Sequence, residues 1–147
     1  MCSSDLFKDG NELIQAVIDK TRTTVLSMTK KEYTNMSFLN IEIGTLCFAK
    51  EYSLLYKDMV LKNINCVSED INSTRQIIGQ MRKDKNLQGF TDEELGTILF
   101  KISIFTNGLS MMVATNIISK NYNEKKLIEL LEEACKDIII SARLRKK

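Results

Sequence analysis

Histidine is absent from all 147 residues, and so is proline. Without histidine the commonest general base is missing, and Cys-His and Ser-His-Asp nucleophile systems are unavailable. Any metal would need carboxylates or thiolates alone. The four cysteines, Cys2, Cys47, Cys66 and Cys135, are scattered with no CxxC pair, so their spacing assigns neither a zinc set nor a disulfide framework and fits reduced thiols. A phosphate-cradling glycine loop is missing too, and Glu93-Glu94 and Glu132-Glu133 read as exposed helical charge. No catalytic residue, metal or cofactor is expected.

Zero prolines and only six glycines, spread over long stretches of three-to-four periodicity, predict an all-α chain. Sustained period-two alternation is absent, as are internal repeats and low-complexity segments. The net charge of +2 is too small to argue for nucleic acid or an acidic substrate. No apolar run reaches the ~18 residues of a membrane span, and the N-terminus lacks the basic-then-apolar order of a signal peptide. With 44% hydrophobic and 27% charged residues, the chain reads as one soluble, cytoplasmic globular domain able to bury a substantial core.

The most informative stretch is Thr91 to Asn116. Thr91 followed by Glu94 is a capping box, and Leu95, Ile98, Leu99, Ile102, Phe105, Leu109, Met112 and Val113 recur at helical steps behind it. Ile104, Gly108 and Met111 add a second apolar edge, so this helix should be buried on more than one side. Four helices are expected before it, over Asn11–Met28, Glu32–Lys50, Ser53–Asn63 and Ser68–Lys83, the last opened by a Ser68 cap. Gly44 marks a point of weakness or close approach in the second. Lys83–Phe90 reads as a loop, Asn121-Tyr122-Asn123 as a turn, and Glu124–Leu144 as the last helix. Early glutamates and the closing Arg143, Arg145, Lys146 and Lys147 match the dipole of that helix, a plainer account of the basic tail than contact with DNA.

The last two helices carry more apolar surface than one face can hold. An isologous four-helix arrangement between two copies would bury it, with Ile102, Leu109, Val113, Ile128, Leu131, Cys135, Ile139 and Ala142 at the interface. A homodimer is therefore expected.

Three segments resemble the C-terminal regulatory domain of TetR-type transcriptional regulators. Phe48-Ala49-Lys50-Glu51-Tyr52-Ser53-Leu54-Leu55-Tyr56 is similar to the family's FA-x-E-x-P-x-L-Y stretch, with Ser53 in place of proline. Phe105-Thr106-Asn107-Gly108-Leu109 is similar to F-x-H-G-L, with Asn107 in place of histidine. Leu6-Phe7-Lys8-Asp9-Gly10-Asn11-Glu12-Leu13 resembles the Y-x-x-F-x-x-K-x-x-L segment that closes the DNA-binding head, with Ser4 and Gly10 at the tyrosine and lysine positions. The resemblance implies that residues 1–12 are a remnant of that head and that 13–147 form the regulatory and dimerisation domain. The recognition helix would precede this segment, so the chain alone is expected not to bind an operator; DNA would be reached only through the missing head.

In the family the effector pocket lies among the middle helices. By position the resemblance names Phe38, Ile41, Thr45, Phe48, Tyr56, Met59, Met81, Phe100, Ile104, Asn107 and Met111 for a small hydrophobic ligand. Taken singly, a Met or Phe at helical spacing is ordinarily core. Asn107 is the sharper candidate, because a carboxamide amid apolar residues must find a partner. Two other readings compete: a headless partner that shares its interface with a full-length regulator, and a thiol-based redox sensor. Cys2 and Cys66 suit the second better than Cys47 and Cys135, which fall on apolar stripes.

Overall fold

The computed structural model describes residues 8–62, 71–118 and 121–146. It is an all-α bundle of six helices, and the described residues contain no strand. In chain order these are α1 (Gly10–Thr29), α2 (Ser37–Glu51), α3 (Ser53–Leu61), α4 (Ile71–Met81), α5 (Asp92–Ala114) and α6 (Glu124–Arg145), with a 3-10 turn at Lys85–Leu87 before α5. The expected Ser68 start of α4 lies outside the described residues.

Helix starts follow local chemistry. The Thr91 hydroxyl accepts the Glu94 N–H at 3.3 Å while the Glu94 carboxylate accepts the Thr91 N–H at 2.7 Å, the reciprocal box expected from the sequence. Asp9 caps α1 through the Glu12 N–H and Asn123 caps α6 through the Lys126 N–H. One boundary moved: α2 begins at Ser37 rather than near Glu32. Asn40, 6% exposed, reaches back from the first turn, accepting from the Tyr33 and Thr34 N–H groups at 3.1 and 2.7 Å and donating to the Thr34 carbonyl at 3.0 Å. Those bonds give the backbone before Ser37 an alternative to helix. At the far end, α5 stops at Ala114, and Asn116 adopts a left-handed φ of 55°, a conformation asparagine tolerates after a helix.

The element at the centre is α2 as much as α5. Ten of the fifteen residues of α2 are buried, and it packs on α1, α3, α4, α5 and α6, most extensively on α5. Gly44 is the close approach to α1: a Cβ there would lie 2.6 Å from Thr29 Cα and 2.7 Å from the Met28 carbonyl oxygen. α5 packs on α2, α3, α4 and α6, burying Leu95, Ile98, Leu99, Ile102 and Leu109. Among the described residues it is also the one helix long and apolar enough to cross a membrane; here much of that apolarity serves the core.

The basic end of α6 has a specific task. Arg143 donates to the Asn86 carbonyl at 2.7 Å and to the Gln88 carbonyl at 3.3 Å, and its guanidinium lies 4.6 Å from the centre of the Phe90 ring. Lys146 reaches the Gly89 carbonyl and pairs with Glu94 at 2.7 Å. The tail thus ties the 85–90 loop to the start of α5.

Candidate functional site

The eleven residues expected to line one effector pocket do not converge on one. Phe38, Phe48, Tyr56 and Met81 are at most 2% exposed and fill the common core. Phe100 and Ile104 point the other way, 67% and 56% exposed on the outer face of α5. Ile41 and Met59 line two separate clefts. Thr45 is half-buried with its hydroxyl donated to the Ile41 carbonyl at 3.0 Å, and Met111 is half-buried against the core. Large side chains from α2, α3 and α4 occupy the space that positional matching had left open.

Two of the eleven do meet. The Tyr56 hydroxyl donates to the Asn107 side-chain oxygen at 3.2 Å, so the carboxamide finds its partner within the chain. Tyr56 is buried but Asn107 is exposed, so the pair marks the outer end of a polar seam that runs inward among α2, α3 and α5. Glu42, 8% exposed, accepts the Ser103 hydroxyl at 2.8 Å. Burial pushes its carboxyl above the ordinary range, partly opposed by the hydroxyls of Ser103 and Thr106. Burial likewise raises the Tyr56 phenol, opposed by the nearby Ser110. The Ser110 hydroxyl, fully buried, has no hydrogen bond of normal geometry. Glu42 carried no functional expectation from the sequence; its signal is a carboxylate set between Ile41 and Ile43 in the most buried part of α2. It lines neither of the two clefts along α1; its contact with Ser103 joins α2 to α5.

The interface set also needs correction. Ile102, Leu109, Leu131, Cys135 and Ile139 are between 1% and 7% exposed inside a single chain, and Val113, Ile128 and Ala142 are half-buried. The intrachain core uses the edges of α5 and α6 that had been assigned to a partner. What α5 presents outward is the other edge: Phe100, Ile104, the half-buried Met111, and Met112 at 42% exposed, with Gly108 open to solvent between them. The outer face of α6 is mostly charged, with Lys125, Glu129, Glu133 and Lys136 exposed before Ile140 and Leu144. Of the last two helices, α5 thus carries the longer outward apolar strip; α1 and α3 also expose large apolar side chains, among them Ile14, Leu54 and Leu61.

Among the described residues, two clefts open along α1. The larger, about 620 Å³, lies between the α1–α2 connection and α4, with Lys30, Lys31, Thr34, Asn35, Gln76 and Gln80 among its walls. The smaller, about 290 Å³, lies between α1 and α3 and is mostly apolar.

Cys47 and Cys135 are buried free thiols. Burial raises both above the usual thiol range, Cys135 to about 12, which disfavours the reactive thiolate. Cys2 and Cys66 lie outside the described residues. Among the described residues no group of three or more Cys, Asp or Glu side chains is placed to hold a metal. No family model, curated protein or solved structure matches the chain.

Proposed function

We propose that this chain is the regulatory and dimerisation domain of a TetR-like transcriptional regulator, pairing with a second copy and responding to a small hydrophobic effector. The observation that carries the reading is the outer edge of α5, an apolar strip on a helix whose opposite face is already core. A self-complementary patch on one long helix suits a two-fold pair, in which each copy covers the other's strip. Gly108 lies on this edge with open space over it in the single chain, and its missing side chain leaves room for a close crossing of the two helices.

The magnitude sets what kind of dimer to expect. Full burial of a Phe, Ile or Met side chain is worth about 1.5–3 kcal/mol, and Phe100, Ile104 and Met112 retain roughly half of theirs to gain. That amounts to about 3 kcal/mol per copy, against an association cost of about 4–15 kcal/mol. For the pair that is about 6 kcal/mol, near the low end of that cost, so a weak, concentration-dependent dimer is the expectation.

Sedimentation equilibrium of the purified chain tests this. The expected result is a monomer–dimer equilibrium that Ile104→Glu shifts to monomer with an unchanged helical spectrum, because a charge buried in the pair would lack a partner. A dimer that tolerates Ile104→Glu, or a monomer at every concentration, overturns the α5 pairing.

A further inference from the structure

We infer that the cleft between α1 and α3 is the effector site, and that it takes a small, uncharged, mostly apolar molecule with one hydrogen-bonding group. This rests on the effector part of the proposed function and assigns it a place and a chemistry. Of the residues named by family resemblance the cleft includes Met59 alone; core side chains fill the space among the buried others.

Its walls are one face of each helix. Leu13, Ile14, Val17 and Ile18 come from α1, at the steps that put residues on a common side, and Leu55 and Met59 from α3 face them. The volume of about 290 Å³ is roughly twice that of an apolar cavity of about 150 Å³ that accepts benzene. A fused two-ring aromatic or a medium-length alkyl chain is the matching size. Thr21 closes one side, 5% exposed, with its hydroxyl donated to the Val17 carbonyl at 2.7 Å, so it presents no spare donor. At the rim, Asp58 and Lys62 pair with each other at 3.3 Å. Their charges cancel locally, which favours a neutral ligand over an anion or a cation while leaving polar atoms for one hydrogen bond.

The packing of α1 explains why the cleft exists. The buried residues of α1, Thr21, Val25, Met28 and Thr29, all lie in its C-terminal half, where it crosses α2 at Gly44. The N-terminal half carries Leu13, Ile14 and Val17 at 44%, 59% and 47% exposure. A ligand seated between α1 and α3 would cover these side chains and tie the free half of α1 to the body. The larger cleft lacks this character, because its polar walls are well served by water.

The test is a fluorescence titration of the whole chain with N-phenyl-1-naphthylamine, a neutral two-ring probe, with 1-decanol as competitor. We expect saturable binding at one site per chain, displaced by decanol. Val17→Trp, which fills the cleft, should weaken it at least tenfold, and Ile140→Ser, on the outer face of α6, should leave it unchanged. Should Val17→Trp fail to fold by circular dichroism, Ile14→Ser serves instead and should weaken the probe severalfold. Hydrogen exchange supplies an independent reading: amides between residues 11 and 20 should slow when the probe binds. Absence of saturable binding, binding insensitive to the cleft variants, or binding lost with Ile140→Ser overturns the assignment. Sedimentation of the same samples separates the two proposals. A dimer without probe binding removes the cleft and leaves the α5 pairing, whereas a monomer that binds the probe does the reverse.

Discussion

Gly44→Ala is the sharpest perturbation of the α1–α2 crossing. The added Cβ would sit 2.6 Å from Thr29 Cα and 2.7 Å from both the Met28 carbonyl oxygen and the Thr29 nitrogen. All three are backbone atoms, so no rotamer change relieves the clash. α1 must retreat by about 1 Å to recover the ~3.5–4.0 Å of favourable carbon contact. That retreat loosens the layer in which Val25 and Met28, 1% and 6% exposed, are buried. Overpacking of this kind costs about 1–3 kcal/mol, loosened contacts add to it, and alanine returns about 0.8–1 kcal/mol of helix propensity. The net expectation is a loss of about 2 kcal/mol, equivalent to a fall in Tm of roughly 4–8 °C for a chain of this size. Urea unfolding followed by circular dichroism should show a lower midpoint at unchanged slope. Gly79, in α4, is the control, since a Cβ there meets nothing within 4 Å; Gly79→Ala should gain about 0.5–1 kcal/mol. If Gly79→Ala behaves so and Gly44→Ala is as stable as the parent, the close crossing is refuted.

Glu42→Gln should be more stable than the parent at pH 7, with the gap closing as the pH falls from the raised folded-state value toward 4.5, the carboxyl's ordinary value. Because burial raises the folded-state value, stability is greatest while Glu42 is protonated in both states and is lost as the pH rises toward the folded value; urea midpoints across pH check this. Glu94 works in the opposite sense. The Lys146 ammonium and the Thr91 N–H hold it below 4.5, so its contribution is present above that value and fades on acidification, a fade that Glu94→Gln should remove. Arg143→Ala should cost about 1 kcal/mol, from its exposed cation–π contact and hydrogen bonds to carbonyls, and speed hydrogen exchange at Leu87 and Phe90. Cys47 and Cys135 should resist a disulfide exchange reagent at pH 8 until urea unfolds the chain, as peptide mapping would reveal; prompt labelling of either would contradict its burial.

Helix by helix, most of the secondary structure was legible. The capping box at Thr91 was visible in a few residues, and Gly44 stood out as a weak point or a close approach, because caps and glycine act over one turn or one contact; the sequence marked Asn123 as part of a turn without showing that it caps α6. The late start of α2 was hidden, since it depends on Asn40 folding back onto Thr34. The role of Arg143 and Lys146 was hidden as well, because it requires a loop more than fifty residues earlier to lie beside the end of α6.

Site residues were far less legible. Phe38, Met81, Phe100 and Ile104 share one kind of signal, a large apolar side chain at helical spacing, yet the first two are core and the last two lie outside. Composition and periodicity decided that the chain would be helical and that α5 would carry two apolar edges, because both follow from the local chemistry of residues three and four apart. Only the tertiary arrangement decided which edge faces α2 and which faces solvent, and that a cleft opens between α1 and α3. Burial belongs to the relative placement of helices, and a one-dimensional pattern does not contain that placement.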